Sequence, residues 1–288
     1  MDIAIIVGLD VISGIASLVL ISAGLAVIFG MMKIINLAHG EFLMLGAYAT
    51  VLSVSAGVNI WFAMLVIAPV FVGLVGVIVE RCLIQFLYGR LVDTMLATWG
   101  LSLVIVGGTT MIFGNTIVGV SSPLGGFQVG AYQSSLYTPF LALMAIFLMT
   151  AVFGVMRYTR AGLIARAVMQ NPEMAATLGV NPARVYMATF GAGAAMSGLA
   201  GGLLAPVAGV VPTMGAAYIA KAFITVVGGG TSLLWGLISA SGLFGFINQI
   251  AAFLTTPVFG EVILFVAAVV LIRMLPTGIA GRFFKGRL

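Results

Sequence analysis

Residues 94–156 read TMLATWGLSLVIVGGTTMIFGNTIVGVSSPLGGFQVGAYQSSLYTPFLALMAIFLMTAVFGVM, 63 positions between Asp93 and Arg157 without one charged side chain. About 20 apolar residues carry an α-helix across the hydrocarbon of a bilayer. This run therefore holds two crossings and a connection. The reading extends in both directions along the chain. Val11–Met32, Phe42–Val79, Val185–Ala220 and Ala222–Gly260 are also free of charge. Spans are expected near 11–31, 41–58, 61–80, 95–113, 139–156, 185–206, 216–230, 233–254 and 259–275. The segment 216–230 is short, holds Lys221 and ends in Gly228-Gly229-Gly230, so it is a candidate half-span. The expected fold is an all-α, polytopic membrane bundle of eight or nine helices with broken or half-spanning segments, forming a single transmembrane domain over 1–288.

Composition supports this and removes other classes. Of 288 residues 62% are hydrophobic and 7% charged, where a soluble domain carries about 25% charged. A soluble enzyme could not hide that much apolar surface. There is no Gly-X-Y period or polar tract, and Cys82 is the single cysteine, so collagen-like, disordered and disulfide-framework classes go too. The net charge of +5 is a topology signal, not an affinity for nucleic acid. Its basic residues lie in short loops, Arg81–Arg90, Arg157–Arg184 and Arg282–Arg287, as cytoplasmic loops do. Counting spans between these loops puts the N-terminus outside and the C-terminus inside. Asp2 and Asp10 precede the first span and Lys33 follows it, which does not match a removable signal peptide. The polar, turn-rich loop 114–138 then lies outside. The small residues of Gly191–Gly202 let backbones approach closely, so that helix is expected inside the bundle.

Two segments stand out chemically. Asn36-Leu37-Ala38-His39-Gly40-Glu41 joins two apolar runs and contains the only histidine. Ala38-His39-Gly40 can break a helix, and Glu41 can open the next one, where the helix dipole favours a carboxylate. Irregular backbone at membrane depth is tolerated against protein or a water-filled cavity. Asn36, His39, Gly40 and Glu41 thus either line or gate a path, or form a polar turn at the inner surface. One His and one Glu do not make a metal site.

The second segment is Arg157–Arg184. Asn171 can cap a helix with Pro172 at its first position and Glu173 in its first turn, and Gly179 can end it. Asn181-Pro182 repeats the signal. The loop is expected to fold as short helices with an apolar side of Leu163, Ile164, Val168, Met169, Met174 and Leu178. That side rests on lipid or on the bundle, or it docks a cytosolic partner. Of the charges at span ends, Glu80-Arg81 reads as a neighbouring pair at the interface, Lys221 as a snorkelling group and Glu261 as a carboxylate favoured at its helix N-terminus.

The absences are informative. No P-loop sequence occurs, no Ser-His-Asp or Cys-His nucleophile can be assembled, and no span carries a chain of mid-membrane carboxylates. The chain is a set of helices without an engine or a cofactor site. If it pumps, the energy comes from another subunit.

Gly24-Leu25-Ala26-Val27-Ile28-Phe29-Gly30, then Ile35-Asn36-Leu37-Ala38-His39-Gly40-Glu41-Phe42 and Gly46-Ala47-Tyr48, resemble the permease subunits of branched-chain amino-acid ABC importers. Ala161-Gly162-Leu163, Arg166-Ala167 and Glu173-Met174-Ala175-Ala176, closing on Gly179, resemble that family's cytoplasmic coupling loop. Here Met174 is inserted into the general Glu-Ala-Ala element of importer permeases. Pro276-Thr277-Gly278-Ile279 is similar to the family's tail. The resemblance implies a type II-like importer permease in the bacterial cytoplasmic membrane. Its implied partners are a second related permease, two cytosolic ATPases, an external solute-binding protein and the lipid bilayer. It places ATPase coupling at Arg166, Asn171, Glu173, Ala175, Ala176 and Gly179. Urea and short-amide importers belong to the same family. Val168-Met169-Gln170-Asn171 and Leu234-Trp235-Gly236 are similar to those, so the solute stays open. A stand-alone channel and a secondary transporter are the readings from other classes.

Overall fold

The charge-free runs become helices in the computed structural model, which describes residues 2–130, 132–230 and 232–283. In chain order these are α1 (Asp2–Met32), α2 (His39–Ser55), α3 (Ile60–Phe62), α4 (Ala68–Cys82), α5 (Leu91–Phe113), α6 (Tyr137–Tyr158), α7 (Arg160–Gln170), α8 (Pro172–Thr177), α9 (Pro182–Leu204), α10 (Met214–Gly229), α11 (Leu233–Leu254), α12 (Pro257–Met274) and α13 (Gly278–Phe283). A π-helical turn, Ala63–Ile67, joins α3 to α4. Pro69 explains it: proline has no N–H to donate back, so the ladder slips by one residue before α4 begins.

The expectation is eight or nine helices, some of them half-spanning. Among the described residues seven helices are long and apolar enough to span: Asp2–Met32, Ile60–Cys82, Leu91–Phe113, Tyr137–Tyr158, Pro182–Leu204, Leu234–Leu254 and Pro257–Arg282. α2 has 17 residues and α10 has 16. At about 1.5 Å per residue each reaches about 25 Å, short of a core of about 30 Å. The loop between α5 and α6 also departs from an all-α chain. Gly126–Val129 (β1) pairs antiparallel with Tyr132–Ser135 (β2), Gly126 opposite Ser135. Of the basic tail, Lys285 and Arg287 lie outside the described residues.

The chain divides into two compact units. The first comprises Met1–Ser22, Ser122–Thr150 and Lys221–Leu288. Its core is Leu18 with Phe244 of α11 and Leu264, Ala268 and Leu271 of α12. Glycines set its close approaches: a side chain on Gly236 would meet the Gly229 carbonyl at 2.6 Å, and one on Gly245 would meet Ile15.

This unit also corrects the reading of two charges. Lys221 and Glu261 are not separate end groups. Lys221 Nζ lies 2.5 Å from Glu261 Oε1, the two side chains 17% and 48% exposed. They bracket the 39-residue charge-free run Ala222–Gly260 and close it on itself. An isolated charge amid apolar helices is expensive, whereas a paired one is tolerated. Lys221→Met and Glu261→Gln should each lower the melting temperature in detergent more than the double variant does. The expected coupling is about 1 kcal/mol, reduced by the exposure of Glu261. Additive effects in the double-variant cycle would show the pair to be idle.

The second unit comprises Ala23–Ser121 and Ala151–Ala220, and α9 is its axis. As its small residues suggested, α9 is mostly buried. Its glycines let neighbours touch its backbone. A Cβ on Gly24 would meet the Gly193 carbonyl at 2.3 Å, and one on Gly46 the Gly198 carbonyl at 2.3 Å. On α4, one at Gly76 would meet Ala194 Cβ at 2.4 Å. Contacts of this kind replace the hydrophobic effect as the source of helix association in lipid. Phe42 and Phe190 add an edge-to-face pair, centroids 6.0 Å apart. At the end of α4, Glu80 is not paired with Arg81. It is buried, accepts a hydrogen bond from the Tyr88 hydroxyl, and leaves Arg81 exposed. Burial, and then that carboxylate, push the Tyr88 phenol well above its ordinary range. Tyr88 in turn packs on Tyr186 of α9.

Candidate functional site

The segment between α1 and α2 breaks where six residues, Lys33 to Ala38, leave the helix. The break lies earlier than expected, because His39 and Gly40 are already helical. Lys33 takes the turn at φ 55°, a conformation uncommon for a side-chain-bearing residue. Asn36 folds the chain back on itself, its Oδ1 accepting the Ala38 N–H at 3.0 Å. The Leu37 N–H donates to Thr98 Oγ1 of α5 at 3.1 Å. Backbone groups freed from the helix are thus met by side chains, as an apolar setting requires.

The four residues singled out from sequence come together here. Asn36 and His39 are fully buried and Glu41 is 3% exposed, so the segment is not a solvated turn. His39 Nδ1 is 3.2 Å from Ser197 Oγ of α9, and Ser197 Oγ also donates to the Gly193 carbonyl at 2.9 Å. With the hydroxyl proton on Gly193, Nδ1 is the donor of the His39–Ser197 bond. Ser102 of α5 hydrogen-bonds Glu41. Gly40 meets the start of α10, where a Cβ would lie 2.0 Å from the Gly215 carbonyl oxygen. A Cβ on Gly215 would lie 2.8 Å from Gly40 C and 3.0 Å from Glu41 Oε1. Two short helices therefore meet by their N-termini beside a carboxylate. This happens level with the interior of α9, not its ends, since His39 and Phe42 face Ser197 and Phe190. Thr98, Ser102, Ser197 and Gly215 were not singled out from sequence. Isolated hydroxyls and a Gly-Ala-Ala run carry no signal until the fold sets them against Asn36–Glu41. Among the described residues no group of three metal-ligating side chains forms.

The second site is the segment of α7 and α8. Thr159 caps α7 by accepting the Gly162 N–H, and Asn171 caps α8 by accepting the Met174 N–H at 2.9 Å. α8 ends as expected. Gly179 has φ +85°, its N–H reaches the Ala176 carbonyl, and the Val180 N–H reaches that of Ala175. Asn181 caps α9 with Pro182 at its start. The elbow with α6 is rigid, because a Cβ on Gly162 would lie 2.2 Å from the Val155 carbonyl. Gly162, Ala165, Val168 and Ala175 are buried. Leu163, Ile164, Met174 and Leu178 are exposed, Leu178 at 79%. Of the expected apolar side, Val168 is covered and these four are not. Arg166 is held along α7, its Nε donating to the Gly162 carbonyl at 3.3 Å, while Asn171, Glu173, Ala176 and Gly179 lie on the surface. The unit is thus a capped, braced pair of short helices with an uncovered apolar face.

The family model described as branched-chain amino acid transport system, permease component, matches residues 8–275. The chain belongs to this family. A similar protein is the high-affinity branched-chain amino acid transport system permease protein LivH of Escherichia coli, 29% identical over 280 residues and 91% of each chain. BraD, the permease protein so described from Pseudomonas aeruginosa, is 27% identical over 289 residues, again 91% of each. A probable branched-chain amino acid transport permease protein of Methanocaldococcus jannaschii is 23% identical over 285 residues, 93% of this chain and 90% of its own. No solved structure matches. With seven spanning helices, this family member is a multi-pass membrane transport protein of the permease type.

Proposed function

We propose that the chain is the membrane-spanning subunit of an ATP-driven importer of branched-chain amino acids. It would pair with a second, related permease, two cytosolic ATPases and an external solute-binding protein in the cytoplasmic membrane, with its N-terminus outside. The observation that carries this reading is the α7–α8 segment. It is capped at three helix starts and braced at Gly162, yet it leaves Leu163, Met174 and Leu178 uncovered. A rigid apolar knob on the basic, cytoplasmic side suits a docking partner that moves, and the family supports an ATPase in that role. Arg166, Asn171, Glu173, Ala175, Ala176 and Gly179 would shape the knob. The joint at Asn36, His39, Gly40 and Glu41 would be the path or gate element that the motion reaches. A loaded binding protein and ATP bias the two access states through their different affinities for each.

The test is uptake by the complete complex in proteoliposomes, with its binding protein outside. Labelled leucine should accumulate only with ATP, and urea should not. Urea accumulation without leucine would move the chain to the short-amide importers. Leucine flux that ignores ATP would reject an importer.

A further inference from the structure

The α2–α10 joint carries polar capacity that none of the described residues meets. Among the described residues five buried side-chain atoms lack a hydrogen-bond partner, and three of them are Asn36 Nδ2, Glu41 Oε2 and Tyr48 Oη. Asn36 lies in the break and Glu41 in the first turn of α2, while Tyr48 lies two turns further along that helix. Asn36 is fully buried, and Glu41 and Tyr48 are each 3% exposed. Orphans at such depth are uncommon in folded proteins, and two of these flank the joint. Glu41 and Tyr48 are seven residues apart, two turns along one helix face. Their chemistry is complementary in kind: Oε2 accepts, Nδ2 donates and the Tyr48 hydroxyl does either. The N-termini of α2 and α10 converge at the same place, with Gly215 against Gly40 and Glu41. Helix N-termini present positive partial charge and favour an anionic group.

A group that satisfied this set would bring a cationic donor to Glu41 and an anionic acceptor to Asn36. An α-amino acid zwitterion carries both on neighbouring atoms. We propose, resting on the importer reading above, that this joint holds the charged head of the solute in passage. The ammonium lies on Glu41 Oε2. The carboxylate takes the Asn36 amide N–H and faces the paired helix N-termini. The apolar side chain makes no demand on the joint, which suits a path shared by leucine, isoleucine and valine. Gly40 and Gly215 touch backbone to backbone. The two helix ends can therefore part to admit the head without unlocking interdigitated side chains.

The test uses the complete importer in proteoliposomes with labelled leucine as probe. Glu41→Gln should cut ATP-driven uptake at least tenfold. Ser241→Ala removes another orphaned buried hydroxyl, one in the first unit, and should leave uptake within twofold of wild type. Uptake by Glu41→Gln within twofold of wild type would overturn the proposal. Should that variant fail to assemble, the wild-type complex decides. Dicyclohexylcarbodiimide labels carboxyl groups within membranes. Mass mapping during ATP turnover should find Glu41 labelled, and saturating leucine should slow that labelling at least fivefold. Labelling that leucine does not slow means that water alone fills the joint. A Glu41 that never labels means that the joint does not open. Either result overturns the proposal. A wild-type complex that carries no branched-chain amino acid would instead sink the functional reading. Leucine uptake with an unprotected Glu41 sinks the joint alone.

Discussion

Gly40→Val should destabilise the permease severely. The added Cβ would lie 2.0 Å from the Gly215 carbonyl oxygen and 2.6 Å from its carbon. Both are backbone atoms, so no rotamer change relieves the overlap. The two helix starts would be held apart in every state, with α2 pressed toward α9, where His39 meets Ser197. Overpacking costs about 1–3 kcal/mol, and more where nothing can yield. At the upper end this lowers the melting temperature of a chain this size by about 6–12 °C. Gly201→Val should behave alike, since its Cβ would lie 1.9 Å from the Leu43 carbonyl oxygen. Gly100→Val on α5, where nothing lies within 4 Å, should melt within about 2 °C of wild type. The measurement is monodispersity and thermal melting in detergent. Equal melting of the Gly40 and Gly100 variants would contradict the packing described.

Met174→Asp combined with Leu178→Asp should uncouple transport while leaving the fold intact. Both side chains are exposed, at 59% and 79%, so the melting temperature should stay within about 2 °C of wild type. If an ATPase docks there, two apolar anchors are lost from the contact. Anchors of this kind are worth about 1–2 kcal/mol each, and about 1.4 kcal/mol is tenfold. ATP-driven leucine uptake should fall at least tenfold, and co-purification of the ATPase should fall with it. Retained uptake would show that α7 and α8 merely rest on lipid headgroups. Gly179→Val is a weaker companion. It strains the left-handed turn by about 1–2 kcal/mol and should shift the angle of the segment without removing it.

Much of this was legible because its signals are local. Charge-free length gave the helices, Asn171-Pro172 and Asn181-Pro182 gave two helix starts, and Gly179 gave a stop. The small residues of Gly191–Gly202 placed α9 inside. What failed was whatever depends on tertiary partners. The break was expected at Ala38–Gly40, where glycine is permissive, but glycine's lack of a side chain is used there for approach to Gly215, and Lys33 takes the strained turn. Lys221 and Glu261 were read apart because they are 40 residues apart in sequence. Only the fold shows that the charges ending one apolar run meet. Glu80 was assigned to its neighbour Arg81, yet consecutive helical residues point to different faces, and Tyr88 across the turn is the partner. The shortness of α10 was legible, because Gly228-Gly229-Gly230 ends its apolar run early; that α2 also stops short of a full crossing was not, because its apolar sequence continues past Ser55. Asn36, His39, Gly40 and Glu41 were found as a motif. The hydroxyls that face them come from α5 and α9 and left no trace in the motif itself.

The most direct measurement is leucine flux through the permease pair in sealed vesicles, with and without the ATPases and ATP. A chain that has no motor of its own and is driven through α7 and α8 should pass leucine only when ATPases, ATP and binding protein are all present, and should be sealed otherwise. Leucine movement through the pair alone, at a rate comparable to that of the full complex, would contradict it.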